Sequence, residues 1–297
     1  MNKIGLHYAY WIGTEAVDAG AYKWMEMAKK AGCEVVEIGM QAILDMTTAE
    51  RQDYKKAVAD AGMVLSINDG WTVKDDIAAD DPAVRRVGIE KAKKVLQAMY
   101  EVGSDRWSGI NYSQWLRRPG VPVCTPEYKE RVRDLSLESM REIIKTAEDC
   151  GVDYCFEIVN RFEQFIMNTA EEGVKFCEDL GSPNAKLLLD TFHMNIEEDN
   201  TAEAIKYAQS KGRMGHLHVG ESNRRVPGFE GKTNMDWDAI MGAVKESGYS
   251  GYIVMEPFIT MGNTEICCWR DMSHGADVPT MLGYAKDGAD FLRSKLA

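Results

Sequence analysis

The sequence lacks the patterns that mark disulfide-rich, zinc-knuckle and membrane-spanning proteins. Its seven cysteines are an odd number, two of them are adjacent, and none forms a CxxC pair. Cysteines used as small buried residues are typical of a reducing compartment, so we expect a cytoplasmic protein. No apolar run approaches the roughly 20 residues of a membrane span, and the polar start MNKIGLHYAYWIG does not resemble a signal peptide.

Positively charged residues are outnumbered by negatively charged ones. The chain has 35 Lys and Arg against 47 Asp and Glu, which gives a net charge of −12. A nucleic-acid partner requires a basic surface that displaces counterions, and an anionic membrane attracts the same kind of surface. We therefore expect neither partner.

Two kinds of segment alternate along the 297 residues. Short apolar runs, predicted to be strands, occupy 5–11, 34–40, 63–69, 106–110, 153–159, 185–190, 215–220 and 251–257. Each is followed by a helical pattern, at 21–32, 47–62, 81–103, 126–150, 169–181, 201–212, 235–248 and 278–295. Eight such units predict a (β/α)8 TIM barrel, one catalytic domain spanning residues 1–297.

A doubly wound open sheet is the alternative fold. Such sheets usually carry a glycine-rich phosphate turn after the first strand. Here that turn reads YWIGTEA, which lacks the glycine pattern. The barrel is therefore preferred.

Four predicted strands in the second half of the chain each carry one carboxylate or imidazole near the carboxyl end. These residues are Glu157, Asp190, His218 and Glu256. In a barrel of this kind the catalytic groups lie at that end of the strands, so the four should converge on one rim. Three carboxylates and one imidazole suit a divalent cation such as Mn²⁺, Mg²⁺ or Co²⁺ better than a thiolate zinc site.

The HLH motif of the seventh strand contains two histidines on the same face. His216 and His218 are two residues apart, which is the side-chain period of a strand. His218 lies nearer the rim and is the better ligand, whereas His216 is expected to have a supporting role. Glu221 and Asn223 in the following loop are expected either to orient the ligand or to cap that loop, and capping is preferred.

Several long motifs in this chain resemble the D-tagatose 3-epimerase / D-psicose (D-allulose) 3-epimerase family. They are EIVNRFE (157–163), LLLDTFHMNIEED (187–199), GHLHVGESNRRVPG (215–228) and VMEPF (254–258), continued by WRD (269–271) and GAD (275–277). The resemblance is dense from about 153 to 270 and looser before that, at YAYW (8–11), the VVEIG segment and Trp115.

The resemblance implies a xylose-isomerase-like barrel and a set of residue roles. Glu157, Asp190, His218 and Glu256 would bind Mn²⁺ or a related ion, Co²⁺ or Mg²⁺. Glu157 and Glu256 would also be the catalytic acid and base. Glu163, His193 and Arg224 would hold the sugar hydroxyls. The family also implies a homodimer or homotetramer.

The implied reaction is C3 epimerisation of free ketoses of the D-fructose/D-psicose and D-tagatose/D-sorbose type. A proton beside the C2 carbonyl is removed and returned on the other face, so a base and an acid must flank the carbon. A cation on the sugar oxygens would stabilise the enediolate. Two glutamates on different strands suit this arrangement.

The first half of the chain departs from the family at the positions that line the substrate. His7 stands where relatives usually carry an aromatic ring, and it is expected either to bind a distal hydroxyl or to have no role. Segments 68–76 and 106–115 replace a glycine–proline turn and a double glycine. Trp115 is expected to stack on the sugar or to serve a subunit interface.

Four other functions compete with ketose epimerisation as interpretations of the sequence. An aldose–ketose isomerase would use the same metal site but would move a proton between C1 and C2. An inosose-dehydratase-like lyase would release water. A non-catalytic sugar-binding protein is disfavoured because both acid/base glutamates are present. A multi-zinc endonuclease is disfavoured by five histidines and the charge of −12.

Overall fold

Within the described part of the chain, eight short segments form strands, and neighbouring strands are parallel. The computed structural model describes residues 2–118, 123–261 and 270–297, so Trp269 of the WRD motif and Cys267 and Cys268 lie outside the described residues. The strands are β1 (Lys3–His7), β2 (Val35–Ile38), β3 (Val64–Asn68), β4 (Arg106–Gly109), β5 (Asp153–Ile158), β6 (Ala185–Asp190), β7 (Met214–Val219) and β8 (Tyr252–Met255).

Helices follow the strands and cover the outside of the sheet. They are α1 (Ala21–Lys30), α2 (Met40–Leu44), α3 (Thr48–Asp60), α4 (Pro82–Val102), α5 (Pro126–Cys150), α6 (Ala170–Leu180), α7 (Thr191–Glu197), α8 (Thr201–Ser210), α9 (Trp237–Glu246) and α10 (Val278–Leu296). Among the described residues, none of these helices combines the length and the apolar character that a membrane crossing requires.

The strands pair in sequence order, and β8 pairs back with β1, where Ile4 lies opposite Ile253. The sheet is therefore a closed barrel. Parallel strands joined by helical crossovers produce this architecture because each helix returns the chain to the same end of the sheet. The predicted (β/α)8 fold is confirmed.

Local sequence signals account for the helix starts. The Thr47 hydroxyl accepts a hydrogen bond from the Glu50 backbone N–H, and the Glu50 carboxylate accepts one from the Thr47 N–H, which forms a capping box before α3. Pro82 occupies the first turn of α4, where a missing N–H costs nothing, and the Asp81 side chain caps that helix.

The first predicted strand, 5–11, was too long. β1 ends at His7, and residues 8–11 form a short 3₁₀ helix. The cause is local: the His7 Nδ1 atom accepts a hydrogen bond from the Ala9 N–H at 3.1 Å. This bond caps the turn and directs the chain out of the sheet.

The segment after β6 is also different from the prediction. The sequence indicated a loop carrying His193, but residues 191–197 form helix α7. Asp190 is the N-cap of this helix, because its Oδ1 atom accepts a hydrogen bond from the Phe192 N–H at 2.7 Å. His193 therefore lies in the first turn of a helix, which restricts its position more than a loop would.

The barrel interior contains a cluster of polar side chains as well as apolar ones. Glu37, Ser66, Ser108, His216 and His218 are fully buried there. Buried polar groups persist only when they are paired, so this cluster requires an internal hydrogen-bond network. The network lies directly below the carboxyl ends of the strands.

Candidate active site

The four predicted metal ligands come together at the carboxyl end of the barrel. Glu157 lies in β5, Asp190 ends β6, His218 lies in β7, and Glu256 follows β8. One side-chain donor atom from each lies within 4.8 Å of the other three, and all four residues are buried. The register explains the convergence, since Asp190 pairs with His218 across β6 and β7.

A fifth carboxylate, Glu37 of β2, holds the imidazole of the predicted ligand His218. The Glu37 Oε1 atom is 2.6 Å from His218 Nε2, and its Oε2 atom is 2.9 Å from His216 Nε2. Ser66 donates a further hydrogen bond to Oε2 at 2.5 Å. Because an ionised carboxylate only accepts, Nε2 of His218 carries a proton and Nδ1 faces the four-residue cluster.

The pKa shifts of Glu37 and His218 are consistent with the close contacts between them. Burial opposes ionisation of Glu37, but His216 and His218 outweigh it and hold its pKa well below the ordinary range. Burial also opposes protonation of His218, yet Glu256 and Glu37 raise its pKa well above the usual value. Sequence reasoning missed Glu37, although a lone carboxylate inside the run VVEI was a signal for it.

The two proposed acid/base glutamates have different electrostatic environments. Burial and the nearby Glu256 raise the pKa of Glu157 well above its ordinary value. Burial opposes ionisation of Glu256 too, but the His218 imidazole and then His7 and Arg224 lower its pKa below the ordinary range. Opposite pKa shifts within a pair of neighbouring carboxyl groups are a feature of acid/base sites.

Arg224 reaches the same cluster from the loop after β7. Its Nη1 atom donates to Asp190 Oδ2 at 2.9 Å and to Glu256 Oε2 at 3.1 Å. The guanidinium carbon lies 3.8 Å from the centroid of the Phe192 ring, which supports it from one face. The residue has a positive φ of 62°, an uncommon conformation for arginine that is typical of functional sites.

His193 turns its Nε2 atom towards the cluster. Its Nδ1 atom accepts a hydrogen bond from the Asn160 backbone N–H at 3.2 Å, and Nε2 lies 3.2 Å from Arg224 Nη2. Burial and then Arg224 lower the pKa of His193 well below its usual value, which keeps the ring neutral. Nε2 lies 3.6 Å from Glu157 Oε1.

Glu163 is held at both carboxylate oxygens. The Trp115 indole N–H donates to Oε2 at 3.1 Å, and the Asn160 amide donates to Oε1 at 3.0 Å. Trp115 lines the same cavity as Glu163. Its indole therefore positions a predicted sugar-binding carboxylate.

We expect Trp115→Phe to raise KM by about three- to tenfold with a smaller change in kcat. The substitution keeps an aromatic ring but removes one hydrogen bond to a charged group, worth roughly 1.5–3 kcal/mol when buried and less at this partly exposed site. Steady-state kinetics on a ketose would measure the effect.

Trp24→Phe is the matched control for this prediction. It also removes an indole N–H hydrogen bond, here to the Ala16 carbonyl at 3.0 Å, but Trp24 does not line the cavity. An unchanged KM in Trp115→Phe, or an equal rise in both variants, would contradict the assigned role.

His7 lies beside Glu256 and lines the same cavity. Its Nε2 atom is 3.9 Å from Glu256 Oε1, and the residue is only 4% exposed. Burial lowers the pKa of His7, although Glu256 and Glu37 oppose this. A neutral His7 therefore sits next to one of the two proposed catalytic carboxylates.

The loop after β7 is organised by Glu221, as expected for a residue with a capping role. Its buried carboxylate accepts hydrogen bonds from the Gly228 N–H at 2.7 Å, the Trp237 indole at 2.8 Å and the Thr233 hydroxyl at 2.6 Å. These bonds fix the loop that carries Arg224. The neighbouring Arg225 points elsewhere, with its guanidinium 2.7 Å from His274.

One cavity of about 690 Å³ gathers most of these side chains. Its lining includes every residue predicted to touch the substrate and both predicted acid/base glutamates, namely His7, Trp115, Glu157, Glu163, His193, Arg224 and Glu256. A cavity with buried carboxylates at one end and aromatic walls is the form expected of a site for a small polar ligand.

The chain is similar to known proteins in both sequence and structure. A family model described as "Xylose isomerase-like TIM barrel" matches residues 25–294. A D-psicose 3-epimerase from Ruminiclostridium cellulolyticum is 36% identical over 98% of this chain and 97% of its own length. The chain belongs to the ketose 3-epimerase family. The expected membership in this family of isomerases is confirmed.

Further members support the assignment. A D-psicose 3-epimerase from Agrobacterium fabrum is 35% identical, with 98% of each chain covered. An L-ribulose 3-epimerase from Methylomonas sp. is 33% identical, with 92% of each chain covered. The crystal structure of a D-psicose 3-epimerase with D-tagatose from Clostridium cellulolyticum H10 matches with a TM-score of 0.90, covering 99% of both chains.

Proposed function

We propose that this family member is a metal-dependent isomerase that epimerises free ketoses at C3, of the D-fructose/D-psicose or D-tagatose/D-sorbose type. The convergence of four buried ligand side chains, two of them glutamates from different strands, is the observation that carries the proposal. Relatives that cover almost the whole chain and are named as ketose 3-epimerases support the reaction.

The cluster fits a divalent cation. The Nδ1 atom of His218 is buried, has no hydrogen-bond partner among the described residues, and faces three carboxylates. The donor set has three carboxylates and one imidazole, which suits Mn²⁺, Co²⁺ or Mg²⁺. Glu157, Asp190, His218 and Glu256 would hold the ion. A bound cation would supply Lewis-acid stabilisation of negative charge on the sugar oxygens, a contribution of several kcal/mol.

Glu157 and Glu256 are the proton-transfer pair in this proposal. Glu256 Oε2 faces the ligand cluster, with Arg224 Nη1 at 3.1 Å and His218 Nδ1 at 3.5 Å. Its other oxygen, Oε1, has His7 Nε2 at 3.9 Å, beyond hydrogen-bonding distance. One oxygen is thus available to accept a proton from carbon while the other stays paired. Glu157 serves the opposite face of the sugar.

The remaining polar groups bind and orient the ketose. The Arg224 guanidinium, with His193 Nε2 beside it at 3.2 Å, is a donor for an oxygen that gains negative charge as the C3 proton leaves. Glu163 accepts from a sugar hydroxyl. Because Asn160 and Trp115 already hold Glu163, and the backbone holds His193, these groups are preorganised.

The test is a product assay on metal-stripped protein. D-fructose, D-psicose and D-tagatose are each incubated with and without Mn²⁺, and the products are resolved by chromatography. We expect interconversion of C3 epimers that disappears after chelation and returns with Mn²⁺. Activity that persists without a divalent cation would contradict the metal assignment.

The same assay separates the alternatives. Aldose products would indicate proton transfer between C1 and C2 on the same site, and a product lighter by one water would indicate a lyase. The expected homodimer or homotetramer remains a prediction, which sedimentation of the purified protein would check.

A further inference from the structure

The cavity extends well beyond the reacting carboxylates. Its buried end is formed by side chains at β5 and beyond β8, including Glu157 and Glu256. Its outer end is formed by residues that follow β3 and β4, namely Thr72, Val73, Gln114, Leu116 and Arg118. In a closed barrel of eight strands, β3 and β4 lie opposite β7 and β8. The cavity therefore spans the mouth of the barrel.

The cavity is large for a monosaccharide. A volume of about 690 Å³ lies within the range of about 300–1,000 Å³ that encloses drug-sized ligands, which have roughly twice the dozen or so non-hydrogen atoms of a hexose. A ketose bound between Glu157 and Glu256 would leave the outer end for another group.

Hydrogen bonds between loops hold the outer wall of the cavity in place. Trp71 and Gln114 form a parallel bridge, and the Trp115 N–H donates to the Trp71 carbonyl at 2.9 Å, which joins the two loops. The buried Asp76 carboxylate accepts from the Gln114 N–H and from Arg117, both at 2.9 Å. These bonds hold the shape of the outer end.

The backbone at the outer end of the cavity is strained. Leu116 has a positive φ of 55°, which is costly for a residue with a branched side chain, and its N–H donates to the Glu163 carbonyl at 3.1 Å. The backbone that lines the outer end is thus tied directly to the residue predicted to bind the sugar.

Polar groups at the outer end remain available. Within the part of the chain that the structure describes, the side-chain amide of Gln114 and the guanidinium of Arg118 make no hydrogen bond. The Asp69 and Glu163 carboxylates line the cavity as well. One cation beside two carboxylates disfavours a phosphate and suits a neutral group rich in hydroxyls.

We propose that the outer end binds a neutral glycosyl unit attached to the far end of the ketose, so that ketodisaccharides with a free C3 hydroxyl are substrates. The inference rests on the proposed function and names its substrate class. The ketose carbons near the carbonyl occupy the carboxylate end, and a glycosyl group on C6 extends towards Gln114 and Arg118.

The experiment compares isomaltulose, a ketodisaccharide with glucose on C6 of fructose, with D-fructose on the Mn²⁺-loaded enzyme. We expect isomaltulose to be epimerised at C3 of its fructosyl unit, with kcat/KM at least equal to that for D-fructose. Val73→Trp should lower kcat/KM for isomaltulose by at least about tenfold and change that for D-fructose by less than about twofold. Val73 is 65% exposed, so a larger side chain can be accommodated at the surface.

Val73→Ala is the matched control and should leave both sugars unaffected. Turnover of D-fructose without turnover of isomaltulose would overturn the substrate class while leaving the proposed reaction intact. An equal loss of kcat/KM on both sugars in Val73→Trp would also overturn the substrate class. So would a preference for fructose 6-phosphate over isomaltulose. Failure on every ketose would reject the proposed function itself.

Discussion

Glu256→Gln is expected to lower kcat for ketose epimerisation by about 10²–10⁴-fold, the usual contribution of a positioned acid or base. Glutamine has the same size and keeps a carbonyl oxygen for the cluster, but it cannot accept a proton from carbon. The Oε1 atom, which has no hydrogen-bond donor within 3.5 Å among the described residues, is the atom whose basicity is lost. Steady-state rates and cation affinity by calorimetry would be measured together.

Hydrogen exchange at C3 gives a sharper readout of the same variant. In D₂O, each epimer presents its C3 proton to one glutamate only. Glu256→Gln should therefore lose exchange starting from one epimer and keep it from the other, and Glu157→Gln should show the reverse pattern. Loss of exchange from both epimers in each variant would contradict a division of labour between the two residues.

Glu221→Gln is the control for Glu256→Gln. Glu221 is also a buried glutamate at this end of the barrel, but its oxygens accept hydrogen bonds from Gly228, Thr233 and Trp237. Its replacement should lower the unfolding free energy by about 1–3 kcal/mol. A similar loss of kcat in both variants would show that local disorder, not the missing base, reduces activity.

Glu37→Gln is expected to weaken Mn²⁺ affinity by about 10–100-fold, the usual effect of removing a carboxylate that supports a metal-binding histidine. The Glu37 carboxylate accepts from His218 Nε2 at 2.6 Å and thereby leaves Nδ1 free for the cation. A glutamine amide can turn its NH₂ group towards Nε2 and favour the other tautomer. Titration calorimetry on the metal-stripped variant would measure this directly, independently of catalysis.

Glu34→Gln provides the matched comparison. Glu34 lies three residues before Glu37 and is partly exposed, with Arg293 4.0 Å away as its ion-pair partner. The same chemical change there should leave Mn²⁺ affinity within about twofold of the parent protein. If Glu37→Gln also binds Mn²⁺ normally, the imidazole is oriented by other contacts and the supporting role is wrong.

Local patterns predicted the regular parts of the fold well. The apolar run 185–190 coincides with β6, and the long amphipathic pattern 126–150 coincides with α5. Helix α7 was missed because it is seven residues long and begins directly after Asp190, whose side chain was predicted to bind a metal. A carboxylate can cap a helix through one oxygen and face the site through the other. Only the three-dimensional structure shows which oxygen does which.

The sequence by itself determined the fold class and predicted the four candidate ligands, because each of them interrupts an apolar run in its own strand and strand ends of a parallel barrel share one rim. The tertiary structure decided which partner each ligand has. Glu37 and His218 are 181 residues apart and meet only because the barrel closes with β2 and β7 facing one interior. Hydrogen-bond partners across a barrel depend on its register and closure, and no local pattern contains that information.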